Sequence, residues 1–298
     1  MEGWMNRCTL CPRRCGADRT VSVGRCGVGE QVRLARAALH FWEEPCVSGE
    51  EGSGTVFFSG CSLGCVFCQN YQISAGHFGR DIPVERLAEI FLELQEQKAN
   101  NINLVTGGHY IPQIVRALDL VRGKLHIPVV YNSSGYETVE ALRMLKGHVD
   151  VYLPDLKYRS PERGARYSHA PDYFAVASKA ILEMLAQVGP VQFDGRGMIQ
   201  RGLIVRHMVM PNGVEDSMDI LTWIAGNLPL DDILVSVMSQ YTPFYKSGEY
   251  PEIDRRLTAQ EYDRVLDWLD CMGIENGFVQ ELSSAKEEYT PDFSLQGV

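Results

Sequence analysis

The stretch "TVFFSGCSLGCVFCQN", residues 55–70, runs a short apolar segment straight into Cys61, Cys65 and Cys68. The apolar part reads as a strand. Gly60 and Gly64 relax the backbone enough for a short loop to wrap a bulky ligand. The spacing C-x3-C-x2-C leaves three thiolates, one short of the four that close a structural zinc or iron–sulfur site. A cubane of four irons held by three thiolates keeps one iron open for chemistry. The competing readings are a zinc site completed by a distant fourth ligand, and three cysteines that simply pack.

Working outward, the pattern becomes strand, helix, strand, helix. Strands are expected at 55–59, 101–106, 127–131, 149–154, 201–209 and 232–238, rich in Val, Ile and Leu as in a parallel sheet buried on both faces. Between them, 84–97 repeats Val84, Leu87, Phe91 and Leu94 at helical spacing, and Pro83 suits a first turn. In 258–272, Thr258 and Glu261 form a capping box, Tyr262, Val265, Leu266 and Leu269 line one face, and Gly273 ends it. The fold class is therefore α/β, a partial TIM-like (β/α)6 barrel with an N-terminal cysteine-rich, metal-tied module. The expected division is 1–50 for the module, 51–280 for the barrel and 281–298 for an irregular tail. The segment "SGEEGSG" (48–54) has a hinge composition. Barrel sites lie at the C-terminal ends of strands, where the three-cysteine loop falls.

The chain has 298 residues, net charge −10 and nine cysteines, five of them within residues 1–50. That cysteine content is far below a disulfide scaffold and points to metal in a reducing cytoplasm. No signal peptide or membrane span is expected. Acidic charge argues against nucleic-acid binding. Residues 1–36, however, carry seven Arg against three acidic residues. Those arginines either offset thiolate charge or form a docking face for an acidic electron carrier.

C-x3-C-x-aromatic-C, with Phe67 as the aromatic, resembles the signature of the radical S-adenosylmethionine (SAM) superfamily. The resemblance implies that the amino and carboxylate groups of SAM take the open iron of a 4Fe–4S cluster. One electron then cleaves SAM to a 5′-deoxyadenosyl radical that abstracts hydrogen, and Phe67 lies against the adenine. The activating enzymes of glycyl radical enzymes are a closer match. "CQN" (68–70) stands where they often have Cys-His-Asn, which brings in Asn70. "TGGHY" (106–110) stands at their Gly-Gly-Glu turn, so Thr106, Gly107 and Gly108 are expected at the cofactor, with His109 in place of the Glu. "NSSGY" (132–136) adds Asn132, Ser133 and Ser134. "PDLKY" (154–158) matches Asp-Leu-Lys, and strand alternation puts Asp155 and Lys157 on one face. They read as ribose or cation ligand and carboxylate ligand respectively, or as a barrel-mouth salt bridge. "VRHMVMP" (205–211) places Arg206, Met208 and Met210 on one face, with Arg206 toward the cofactor and His207 packed outward as a structural histidine. The likeness covers nearly the whole chain and is similar to an uncharacterised pyruvate formate-lyase activating enzyme-like family. Asp155, Lys157 and Arg206 are the expected catalytic set.

Cys8, Cys11, Cys15 and Cys26 read C-x2-C-x3-C-x10-C, enough to close a shell around zinc or to hold a second iron–sulfur cluster. Cys46 either replaces one of these ligands or is idle. Cys271 reads as a small core residue, and Glu43 and Glu44 as a solvated acidic pair. The expected partners are a flavodoxin or ferredoxin as electron donor and a glycyl radical protein or peptide as substrate. A small-molecule substrate is the alternative within the same chemistry. Outside it stands a non-catalytic iron–sulfur carrier or zinc-tied binding module, which has no need of three charged residues at successive strand ends.

Overall fold

Ser53–Phe58 forms a strand whose six residues are all buried, and the sheet grows from it in both directions. In the computed structural model, residues 4–282 and 291–298 are described. Their ten strands are β1 (Val32–His40), β2 (Ser53–Phe58), β3 (Arg80–Ile82), β4 (Ile102–Val105), β5 (Val129–Ser133), β6 (Val151–Pro154), β7 (Gln192–Phe193), β8 (Ile199–Met208), β9 (Leu234–Met238) and β10 (Gly277–Val279). They lie in the order β10-β9-β8-β6-β5-β4-β2-β1-β3, with the two-residue β7 beside β8.

Neighbours from β2 through β10 in this path pair in parallel. Parallel neighbours need a crossover, and helices supply it. The helices are α1 (Pro45–Ser48), α2 (Tyr71–Ser74), α3 (Val84–Glu96), α4 (Ile111–Leu120), α5 (Val139–Met144), α6 (Pro161–Ser168), α7 (Tyr173–Val188), α8 (Val214–Asn227) and α9 (Ala259–Cys271). All six expected strands are present as β2, β4, β5, β6, β8 and β9, an open partial barrel to which β10 adds a short parallel strand. Residues of β2, β4, β5, β6 and β9 are buried throughout, because helices cover one face and the barrel interior takes the other. Helix α3 buries Leu87, Ala88, Ile90, Phe91 and Leu94. Helix α9 carries the expected capping box between Thr258 and Glu261. Among the described residues no helix is long and apolar enough to cross a membrane.

Two expectations change. Residues 1–50 are more than a cysteine-rich module, because β1 pairs antiparallel with β2 along Leu34–His40 and with β3 along Val32–Leu34. The division at residue 50 thus cuts one ladder, and Ser53 and Gly54 of the supposed hinge already belong to β2. Arg33, Arg36 and a run of alanines hide this strand, since they lack the β-branched signal. Cys271 is exposed rather than in the core, because it falls at the last position of α9, off the face of Tyr262, Val265 and Leu269. Of the expected irregular tail, 283–290 lie outside the described residues, and 291–298 form no helix or strand but run beside β1. Leu295 N donates to Ala35 O at 3.0 Å, Ala37 N donates to Gln296 O at 2.8 Å, and Phe293 meets Phe57 edge-on at 5.4 Å.

Candidate active site

At the C-terminal mouth of the parallel strands opens a cleft enclosing about 270 Å³. The 61–68 loop enters it directly from β2. Gly60 (φ +88°) and Gly64 (φ +73°) adopt backbone that other residues rarely take. At Gly60 a Cβ would stand 2.7 Å from Cys26 O and 2.7 Å from Val28 Cγ1, so only glycine fits there. Cys61, Cys65 and Cys68 all line the cleft. Each sulfur accepts a hydrogen bond: Cys61 from Leu63 N at 3.4 Å, Cys65 from Ser168 Oγ at 2.9 Å, and Cys68 from Ser74 Oγ at 3.3 Å. Burial pushes the Cys65 thiol up to about 12, against the opposing pull of the Lys157 charge. Among the described residues no three His, Cys, Asp or Glu side chains gather as for one metal ion.

Phe67 lines the same cleft, its ring 5.7 Å from that of Tyr241. Asn70 precedes α2, and its Oδ1 is buried with no hydrogen-bond partner, an acceptor left available to a ligand of the cleft. Thr106, Asn132, Ser133 and Ser134 face in from the ends of β4 and β5. Thr106 has φ +59°, a costly conformation for a β-branched residue and one found mainly where a site imposes it. Gly107 and Gly108 do not face the cleft. A Cβ on Gly107 would meet Ile114, and one on Gly108 would meet Glu137 and Tyr131. His109 points away as well, buried with Nε2 2.8 Å from Ser59 O.

The charged residues form one network. Lys157 Nζ lies 2.6 Å from Asp155 Oδ2, and Arg206 Nε lies 3.0 Å from Asp155 Oδ1. Arg206 also donates to Glu43 Oε2 at 3.1 Å and to Asn132 Oδ1 at 2.6 Å. Burial alone would raise the Asp155 carboxyl, but Lys157 and Arg206 together hold it below the usual carboxylate range. Leu156 and His207 turn to the opposite face, where His207 bonds Leu156 O at 2.7 Å and Ser217 Oγ at 2.8 Å, as alternation requires. Met208 lines the cleft, whereas Met210 is buried elsewhere.

Glu43 and Glu44 are not a solvated pair. Both line the cleft; Glu44 is 8% exposed, and Glu43 also accepts from Asn103 Nδ2 at 3.1 Å and Asn132 Nδ2 at 3.2 Å. Their sequence context, "EEPC", reads as surface because only the fold carries the segment after β1 past the N-terminal ends of the parallel strands, from where Glu43 reaches in to Asn103 and Asn132. Cys46 packs with Val130, Val151 and Leu153, away from the other N-terminal cysteines.

Glu137 is a second carboxyl that the sequence hides, since "GYETVE" reads as an exposed helix start. It is buried and accepts from Ser133 Oγ at 3.1 Å. Burial pushes it up to about 8 from 4.5, the Ser133 bond opposing and the Asp155 charge adding. A raised folded-state value means its contribution to stability is complete below the unfolded value and lost as pH climbs through the folded one. Thermal melts should therefore fall in midpoint between about pH 5 and about pH 9, and Glu137→Gln should flatten that fall. An equally steep profile in the variant would assign the dependence to another group.

A sequence profile of the radical SAM superfamily matches residues 55–223. An uncharacterized protein of Methanocaldococcus jannaschii is 35% identical over 277 residues, covering 90% of this chain and 75% of that protein. In fold, a point mutant of spore photoproduct lyase is similar with TM-score 0.51 and 10% identity, over 75% of this chain and 74% of that one. SuiB of Streptococcus suis, solved bound to S-adenosylmethionine, gives TM-score 0.51 and 12% identity over 76% of this chain, which spans about 50% of SuiB.

Proposed function

This chain belongs to the radical SAM superfamily, and from that premise we propose that it abstracts a hydrogen atom from a backbone position of a protein or peptide, as glycyl radical activating enzymes do. The cofactors of the superfamily, a 4Fe–4S cluster and SAM, supply a 5′-deoxyadenosyl radical by one-electron cleavage of SAM. The observation that carries the reading is the convergence of three thiols, Phe67, Asn70 and the Asp155–Lys157–Arg206 network in one cleft.

In this reading Cys61, Cys65 and Cys68 hold the cluster, and Ser74 and Ser168 orient two of the sulfurs. Phe67 gives a face for a purine, and Asn70 offers its buried acceptor. Lys157, Asp155 and Arg206 bind the charged and hydroxyl groups of SAM and hold them still, excluding water from the reacting end. In this reading the two cations that line the cleft, Lys157 and Arg206, are committed to Asp155, Glu43 and SAM, which disfavours a strongly acidic metabolite as substrate. Gln240 and Gln280 line the same cleft with amide groups suited to a peptide backbone. A flavodoxin or ferredoxin in a reducing cytoplasm would supply the electron.

The test is hydrogen tracing. With a strong reductant, slow cleavage of SAM to 5′-deoxyadenosine and methionine is expected without substrate, and faster cleavage with the right partner. Deuterium from a glycine-labelled protein or peptide should appear in 5′-deoxyadenosine. Label arriving only from a small metabolite would reject the polypeptide substrate, and absence of cleavage under every reductant would reject the enzyme reading.

A further inference from the structure

Residues 5–31 contain neither helix nor strand; Leu10 and Val28 pack into the core, whereas Val21 and Val23 stand 83% and 61% exposed. The four cysteines of this segment are drawn together. Cys8 N donates to Ala17 O at 2.9 Å and Gly16 N to Cys8 O at 3.0 Å, closing a loop that contains Cys11 and Cys15. Gly24 completes the cradle: a Cβ there would stand 3.3 Å from Cys26 Sγ and 3.5 Å from Cys15 Sγ.

The segment is joined to the active-site loop at the backbone. Cys61 N donates to Cys26 O at 3.2 Å. Arg13, between Cys11 and Cys15, donates to Ser62 O at 2.8 Å, Leu63 O at 3.1 Å and Ser168 O at 2.9 Å, and also to His169 O. Arg19, 1% exposed, donates to His109 O at 2.6 Å and Gly29 O at 2.7 Å, its guanidinium 5.7 Å from the Trp4 ring and 5.5 Å from that of Tyr110. These two arginines are therefore spent internally, not on a docking face.

We propose that Cys8, Cys11, Cys15 and Cys26 ligate a second iron–sulfur cluster, packed against the 61–68 loop that it helps to fix. Four thiols, one for each iron, are what a closed cubane takes, and the loop carrying them is tied to the 61–68 loop at Cys26 O. Ordering of the segment is then coupled to binding of the group, as in small metal-tied modules.

Iron and acid-labile sulfide are counted on the full chain after anaerobic reconstitution, where about eight of each are expected. The Cys61→Ser/Cys65→Ser/Cys68→Ser variant should keep about four of each, with a reduced EPR signal that SAM does not perturb. Iron below about one per folded chain in that variant, or about one zinc without sulfide, overturns the proposal. If that variant does not fold by circular dichroism, Cys11→Ser/Cys15→Ser decides. A fall from about eight irons to about four with the SAM-responsive signal kept supports the second cluster, and an unchanged count overturns it.

Discussion

The Cys65→Ser protein, reconstituted anaerobically, is expected to lose reductive cleavage of SAM to below detection. Cys65 is the buried middle cysteine of the loop, and its sulfur lies 2.9 Å from Ser168 Oγ. A serine hydroxyl is a poor iron ligand and cannot be ionised cheaply at a site that already raises the thiol. With two thiolates the remaining corner of a cubane is unheld. The EPR signal that responds to SAM should disappear together with activity, while far-UV circular dichroism stays unchanged. A variant that kept both signal and cleavage would remove the three-thiolate assignment.

Arg206→Met should carry the largest stability cost of any single substitution at the barrel mouth, about 3–5 kcal/mol, because it strands buried carboxylates. Arg206 donates at once to Asp155, Glu43 and Asn132, three acceptors on three separate elements. Lys157 can still neutralise Asp155, whereas Glu43 is left with amide donors only. Lysine at 206 should not restore the loss, since a single ammonium cannot fork to three acceptors. Thermal melting should show a fall of roughly 10 °C, and adding Glu43→Gln should recover part of it in a double-mutant cycle. Additive effects of the two substitutions would mean that the pair is not coupled.

What the sequence made legible followed periodicity and local spacing. The six parallel strands, α3, α9 with its capping box, and the alternation of Asp155, Leu156 and Lys157 needed only neighbours along the chain. Glu43 and Glu137 were not legible, because their burial is created by β1 and β5 arriving from elsewhere. The strand β1 itself escaped notice because two of its residues are Arg, and Arg33 is tied down by Asp81 of β3 at 2.6 Å. At Gly107 and Gly108 the sequence shows a turn, but not what crowds it: an added Cβ would meet Ile114 at the first and Glu137 at the second.

A sheet that does not close on itself ends in strands whose amides and carbonyls can be adopted by another molecule. Here β3 occupies that row only along Val32–Leu34. From Ala35 onward the partners are Leu295 and Gln296, which arrive from the far end of the chain. At the opposite margin β10 offers three residues, too short a template to pair strongly. The last few residues are thus a guard against strand-to-strand aggregation. Without them the protein would lose the Phe293 contact with Phe57 and present the open flank of β1 to every copy it met.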